Sequence, residues 1–353
     1  MHVIFDVLHL YYLPQYLPVY HELKRHQCHV EFVFYHSIHD SIIKNIVAQE
    51  QLTAHWVDEQ NQATDYYLEK KADWVIFANA YPHLEKVHRV SKSVQLGHGI
   101  GPKSSYYTKS NTPTTVRFVE GAYRTARFNE MYPNDTFVDV GFAKLDPIIN
   151  GEDVGFDLAS LGLDSNKPTL AYAPTFYPSS IECFPKNWPK EFSYYNILIK
   201  PHYFSVSKEK YHKQQKLLNH WASFENVYLA KIEDYSLIPF MASADILISD
   251  ASSALFEFAA LNKPVIWCDF LKLRWSYRGI FGYRFKKRMD QDYGEYADIA
   301  VHAKKYSQVK ALVASHYQKP EQLETERLAF SEKLAGKLDG KASERITAYL
   351  LSH

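Results

Sequence analysis

Within residues 245–267 a short apolar run, Ile246 to Ile248, gives way through Ser249-Asp250-Ala251-Ser252-Ser253 to a helix-favouring stretch that Lys263-Pro264 stops. Asp250, Ser252 and Ser253 therefore stand at a helix entrance, where unpaired backbone N–H groups and the helix dipole favour an anion such as phosphate. The same residue types also serve as a plain N-cap. A second constellation is Gln95-Leu96-Gly97-His98-Gly99-Ile100-Gly101-Pro102-Lys103. Glycines on both sides of His98 bare the backbone after a strand-like segment, so an imidazole that titrates near neutral pH would stand open to a ligand and could act as a general base. The alternative is a surface or packed histidine, of which this chain has many. The third constellation is Lys200-Pro201-His202, after the apolar run 195–199, with Tyr172-Ala173-Pro174-Thr175 ending the strand before it. Lys200 and His202 would fan from a strand end into one cleft, or simply meet solvent there.

Elements with alternating strand and helix character must carry these residues. Strand-like patterns at 3–7, 29–35, 52–57, 74–78 and 93–96 alternate with helical ones at 18–26, 40–50 and 65–71. Such alternation predicts a parallel sheet covered by helices on both faces. Glycine, Asp164 and Asn166 break the pattern over 150–167, and strands resume at 169–173, 195–199, 227–229, 245–249 and 264–267. The expectation is an α/β protein of two Rossmann-like domains facing each other across a cleft, 1–155 and 156–330, with a C-terminal helix over 331–353. Leu312, Leu323, Leu328, Leu334 and Leu338 form a loose apolar stripe in a helical tail from 304 onward.

Composition narrows the partners. Forty basic residues balance forty acidic ones, so no global field draws nucleic acid and any anion site must be local. Cys28, Cys183 and Cys268 share no metal-binding or redox spacing and read as reduced cytosolic thiols. No apolar run reaches the ~18 residues of a membrane span. Tyr11, Tyr12, Tyr16 and Tyr20 crowd the start, either as packing residues with hydrated hydroxyls or as a rim facing lipid or acceptor. A cytoplasmic chain, with peripheral contact at the inner face of the membrane, is the expectation. No acidic cluster has the pattern of a magnesium site, and no cofactor is expected.

Taken in order, His98-Gly99, Gly141-Phe142-Ala143-Lys144-Leu145-Asp146, Tyr172 to Thr175, Lys200-Pro201-His202, Asp234 to Phe240, Ser249 to Ser253 and Asp339-Gly340-Lys341-Ala342-Ser343-Glu344-Arg345-Ile346 resemble CDP-glycerol glycerophosphotransferases of the teichoic acid type. The likeness covers residues 95–350. It implies a GT-B fold, a CDP-glycerol or related CDP-polyol donor, and a hydroxyl acceptor on a lipid-linked primer or growing polymer. It casts His98 as base, Lys200 and His202 as groups neutralising the diphosphate, Ser252 and Ser253 as phosphate ligands, and Gly99, Lys103, Pro174, Thr175 and Asp250 as donor contacts. Glu257, seven residues before Pro264, resembles the ribose-holding glutamate of GT-B enzymes; its other reading is an ordinary helix-surface residue. The chain departs from the family pattern around His98 and in placing Ala251 where a tyrosine is usual. A GT-B glycosyltransferase or hydrolysing nucleotide-sugar epimerase using another nucleotide, and a non-catalytic nucleotide-binding subunit of a polymer-export assembly, are the alternatives.

Overall fold

The computed structural model describes residues 1–101, 104–250, 252–273 and 296–353; Lys103 and Ala251 lie outside the described residues. The chain divides into two compact units, Met1–His98 with Ser105–Glu152 and Glu332–His353, and Gly99–Ser104 with Asp153–Ser331.

The first unit holds seven parallel strands, β1 His2–Val7, β2 His29–Tyr35, β3 Ala54–Val57, β4 Trp74–Phe77, β5 Lys92–Gln95, β6 Val116–Val119 and β7 Phe137–Asp139, ordered β3-β2-β1-β4-β5-β6-β7. Val3, Ile4 and Phe5, like all of β4, are buried on both faces, as expected of strands sandwiched between crossover helices. The first crossover helix, Leu13–Arg25, begins five residues before its expected start. Pro14 occupies its first turn, where a missing N–H costs nothing, and Pro18 lies inside it. Strands β6 and β7 were not expected from the sequence. Arg117 interrupts β6, yet it is buried because its guanidinium donates to the carbonyls of Thr108 and Tyr106 and lies 4.2 Å from the centre of the Phe128 ring.

The segment 331–353, set apart by the sequence as a C-terminal helix, joins this unit from Glu332 onward. Two of the motif segments meet there. The buried Asp146 carboxylate accepts from the N–H groups of Ala342 and Ser343 (3.3 and 2.8 Å) and the Ser343 hydroxyl (2.8 Å), capping helix Ala342–Ser352. Arg345 donates back to the Val140 carbonyl and pairs with Asp339. At Gly141, with φ +80°, a Cβ would lie 2.8 Å from the Lys337 carbonyl oxygen, so the close approach requires glycine. These motifs form a structural latch.

Nor do the early tyrosines make a rim. Tyr12, Tyr16 and Tyr20 are buried and Tyr11 is half-buried, so the packing reading holds. Among the described residues no helix is long and apolar enough to cross a membrane.

The second unit has six parallel strands, β8 Thr169–Tyr172, β9 Asn196–Ile199, β10 Val227–Leu229, β11 Ile246–Ser249, β12 Val265–Cys268 and β13 Val301–Ala303, ordered β10-β9-β8-β11-β12-β13. Tyr172, Phe184, Trp188 and Trp221 anchor one of its cores through edge-to-face ring contacts. The tail does not form the expected stripe. Helices Val309–Gln318 and Glu324–Phe330 belong to this unit, and Leu328 is exposed while Leu334 is buried.

Candidate functional site

Strand order fixes where each sheet can bind a ligand. In the second unit the chain reverses its direction of growth between β8 and β11, which are hydrogen-bonded neighbours. Ligands of open parallel sheets sit outside the carboxyl ends at such a switch point. The segments following β8, β9 and β11 carry Pro174 and Thr175, Lys200 and His202, and Asp250, Ser252 and Ser253. Backbone bonds knit these exits together: Lys200 N–H to Tyr172 O (2.9 Å), His202 N–H to Pro174 O (3.2 Å) and Ala173 N–H to Ile248 O (3.0 Å). The Ser249 hydroxyl donates to Ala173 O at 2.7 Å.

Asp250, expected as a donor contact, is wholly buried just past the end of β11. One carboxylate oxygen accepts from Thr175 N–H (2.7 Å); the other accepts from Ser180 N–H and hydroxyl (2.8 Å each) and from the Ser179 hydroxyl at 3.4 Å. It therefore braces the turn after β8. Ser252 is the N-cap of helix Ser253–Ala260, its hydroxyl accepting from Ala254 N–H at 3.3 Å. Ser252 and Ser253 are both half-buried, and Ser252 is the cap that the sequence allowed for.

His202 caps the short helix Tyr203–Ser207 by accepting from Phe204 N–H at its Nδ1, 3.1 Å away. That bond sets the tautomer, since the neutral ring then carries its proton on Nε2. The ring packs against Phe176 and Phe204, with centroids 4.7 and 5.0 Å away. Lys200 is half-buried, with its ammonium 6.0 Å from the Phe240 ring centre. Glu257 is wholly buried, which removes the helix-surface reading of that residue.

In the first unit the corresponding reversal lies between β1 and β4, and β5 is the next strand. His98 follows β5, as expected, after Gly97 at φ +77°, a conformation that favours glycine. Its half-buried imidazole is surrounded by aromatic rings, with Tyr11, Tyr12 and Tyr106 at centroid distances of 5.6, 5.1 and 5.8 Å. Asn79, just beyond β4, donates to the Tyr12 hydroxyl. Burial raises the Tyr11 and Tyr12 phenols, so both stay protonated at neutral pH. The Arg124 guanidinium lies 5.6 Å from the Tyr106 ring centre and pairs with buried Glu120 at 2.9 Å. Nothing in the chain's pattern joins these tyrosines to His98; for Tyr11 and Tyr12 the one signal is the crowding of tyrosines near the start. Gly99 is buried and belongs to the second unit's segment Gly99–Ser104, in which a Cβ on Gly101 would fall 2.6 Å from the Phe256 ring.

The sequence matches, over residues 14–352, the family described as CDP-Glycerol:Poly(glycerophosphate) glycerophosphotransferase. Among curated proteins it is similar to the teichoic acid glycerol-phosphate primase of Bacillus subtilis, 31% identical over 122 residues, covering 32% of this chain and 29% of that relative. The corresponding primase of Bacillus spizizenii is 29% identical over 161 residues, covering 43% and 39%. Each match therefore spans well under half of the relative. Solved structures of similar fold include the wall teichoic acid polymerase TagF, at 17% identity and TM-score 0.70, covering 99% of this chain and 88% of that one. A UDP-GlcNAc 2-epimerase from Neisseria meningitidis, bound to UDP-GlcNAc, aligns over 100% of both chains at 13% identity and TM-score 0.60. Likeness at these identities is one of fold, two Rossmann-like domains of the GT-B class.

Proposed function

The chain belongs to the CDP-glycerol:poly(glycerophosphate) glycerophosphotransferase family, and from that premise we propose that it transfers glycerol phosphate, or a related polyol phosphate, from a CDP-linked donor to a hydroxyl of a lipid-linked or polymeric acceptor in cell-surface polymer synthesis. The observation that carries this reading is the gathering of Lys200 and His202 after β9 and the Ser252-capped helix after β11, the two strands that flank β8 with its Pro174 and Thr175.

In the proposed reaction the acceptor oxygen attacks the polyol-bearing phosphorus. The bond from that phosphorus to the bridging oxygen breaks, and its electron pair leaves with CMP. The acceptor's proton passes to the His98 imidazole. Lys200 and the helix N-terminus offset charge on the diphosphate, and the Nε2–H of His202 donates to one of its oxygens. Pro174 and Thr175 line the nucleotide side, Gly99 lets the ligand approach the backbone, and Lys103 adds a cation. Asp250 acts through the turn it braces. Glu257 is assigned to the ribose hydroxyls. Contact with the inner face of a membrane rests on the chemistry of the acceptor alone.

The test is nucleotide release from CDP-glycerol, CDP-ribitol, UDP-sugars and CMP-sugars in the presence of a synthetic primer, with mass spectrometry of the product. CMP released from a CDP-polyol in step with primer extension is expected. Turnover confined to a UDP- or CMP-sugar would transfer the assignment to a glycosyltransferase or epimerase, and binding without turnover would make the chain a non-catalytic subunit.

A further inference from the structure

At the opposite, amino-terminal edge of the first sheet, we propose that His2, His29 and Glu31 bind a borderline divalent transition metal, with Zn²⁺ as the probe. His2 and His29 are register partners on β1 and β2, and Glu31 follows His29 by two residues, so the strand period puts all three side chains on one face. Their ligand atoms lie within 4.8 Å of one another. Glu31 Oε1 is 2.7 Å from His29 Nε2 and 3.6 Å from His2 Nε2. Donors on a tetrahedral ion at zinc–nitrogen bond lengths are roughly 3.4 Å apart, so the cluster closes on an ion with small side-chain shifts.

Two further observations favour a ligand over a simple ion pair. His2 Nε2 is shut off from solvent and makes no hydrogen bond, a state that buried polar atoms rarely keep. The second oxygen of Glu31 is held by the Tyr66 hydroxyl, and the His2 backbone N–H is fixed by Asp73 Oδ2 at 2.7 Å, the kind of outer support that orients metal ligands. Two imidazoles and one carboxylate select zinc, cobalt or nickel over magnesium or calcium. His29 is exposed, giving the ion an entry path and leaving room for water as a fourth ligand. Because His98 follows the carboxyl end of β5 in the same parallel sheet, the ion clips β1 to β2 and takes no part in transfer.

The full chain, free of any affinity tag and stripped with EDTA, is titrated with ZnCl₂ and MgCl₂ by calorimetry, and its melting is followed with and without Zn²⁺. One equivalent of Zn²⁺ bound, a melting temperature raised by it, and no response to Mg²⁺ are expected. Glu31→Gln and His29→Ala each weaken the binding by more than about tenfold and abolish the melting shift, while their metal-free forms melt near the parent. The absence of Zn²⁺ binding, Mg²⁺ binding of equal strength, or Zn²⁺ binding that both variants retain would overturn the proposal.

Discussion

The carboxyl ends of the two sheets are built in opposite ways. In the second unit the exits of β8, β9 and β11 are tied to one another by backbone bonds, and a buried carboxylate, Asp250, takes three donors from one turn at 2.7–2.8 Å. In the first unit His98 follows β5 among tyrosine rings, after a left-handed glycine. A rigid, hydrogen-bonded rim suits a diphosphate whose charges must meet fixed dipoles. In the proposed transfer the His98 imidazole is the group that takes up the acceptor's proton.

The largest effect expected from breaking that contrast is at Asp250. Asp250→Ala leaves the buried N–H groups of Thr175 and Ser180 unpaired and should cost about 3–5 kcal/mol in urea unfolding, with weaker CDP-glycerol binding. Asp146→Ala, which unpairs the start of the terminal helix, should also destabilise while leaving CDP-glycerol affinity unchanged. Equal losses of affinity in the two variants would erase the distinction between brace and latch.

The next effect lies in the first unit. Burial pushes the Asp6 carboxyl up to about 6 despite hydrogen bonds from the Tyr35 and Tyr67 hydroxyls. The folded state therefore holds this proton more tightly than the unfolded chain. The stabilisation is full below about pH 4 and is lost as pH rises through 6, by roughly 3 kcal/mol. Asp6→Asn should flatten that part of the stability–pH curve; an unchanged slope would show that another group sets it. The smallest effect is at Ser252. Loss of its cap in Ser252→Ala should cost about 1 kcal/mol, together with a measurable drop in CDP-glycerol affinity. A stability change with unaltered affinity would reduce Ser252 to a plain cap.

Much of the second unit was legible in the sequence because its chemistry is local. A strand, a polar turn and a helix entrance lie within ten residues, and Lys200 and His202 directly follow an apolar run. Other features depend on distant partners. Arg117 hides β6 because the carbonyls and ring that make its burial tolerable lie at 106, 108 and 128. Of the strands three residues long, β10 was legible while β7 and β13 were not, since over three residues a period hardly registers. Asp250 reads in the sequence as a side chain at a helix entrance; the bracing bonds it accepts come from partners 70 to 75 residues upstream, which no local pattern shows. The tyrosines around His98 come from chain segments more than 80 residues apart, and nothing in their composition links them.

The measurement closest to the central claim pairs calorimetric affinity for CDP-glycerol with single-turnover CMP release in His98→Ala and Lys200→Ala. The account predicts that His98→Ala keeps donor affinity while CMP release falls by about 10²–10⁴-fold, and that Lys200→Ala loses the affinity itself. Release of CMP by His98→Ala at the parent rate would contradict it.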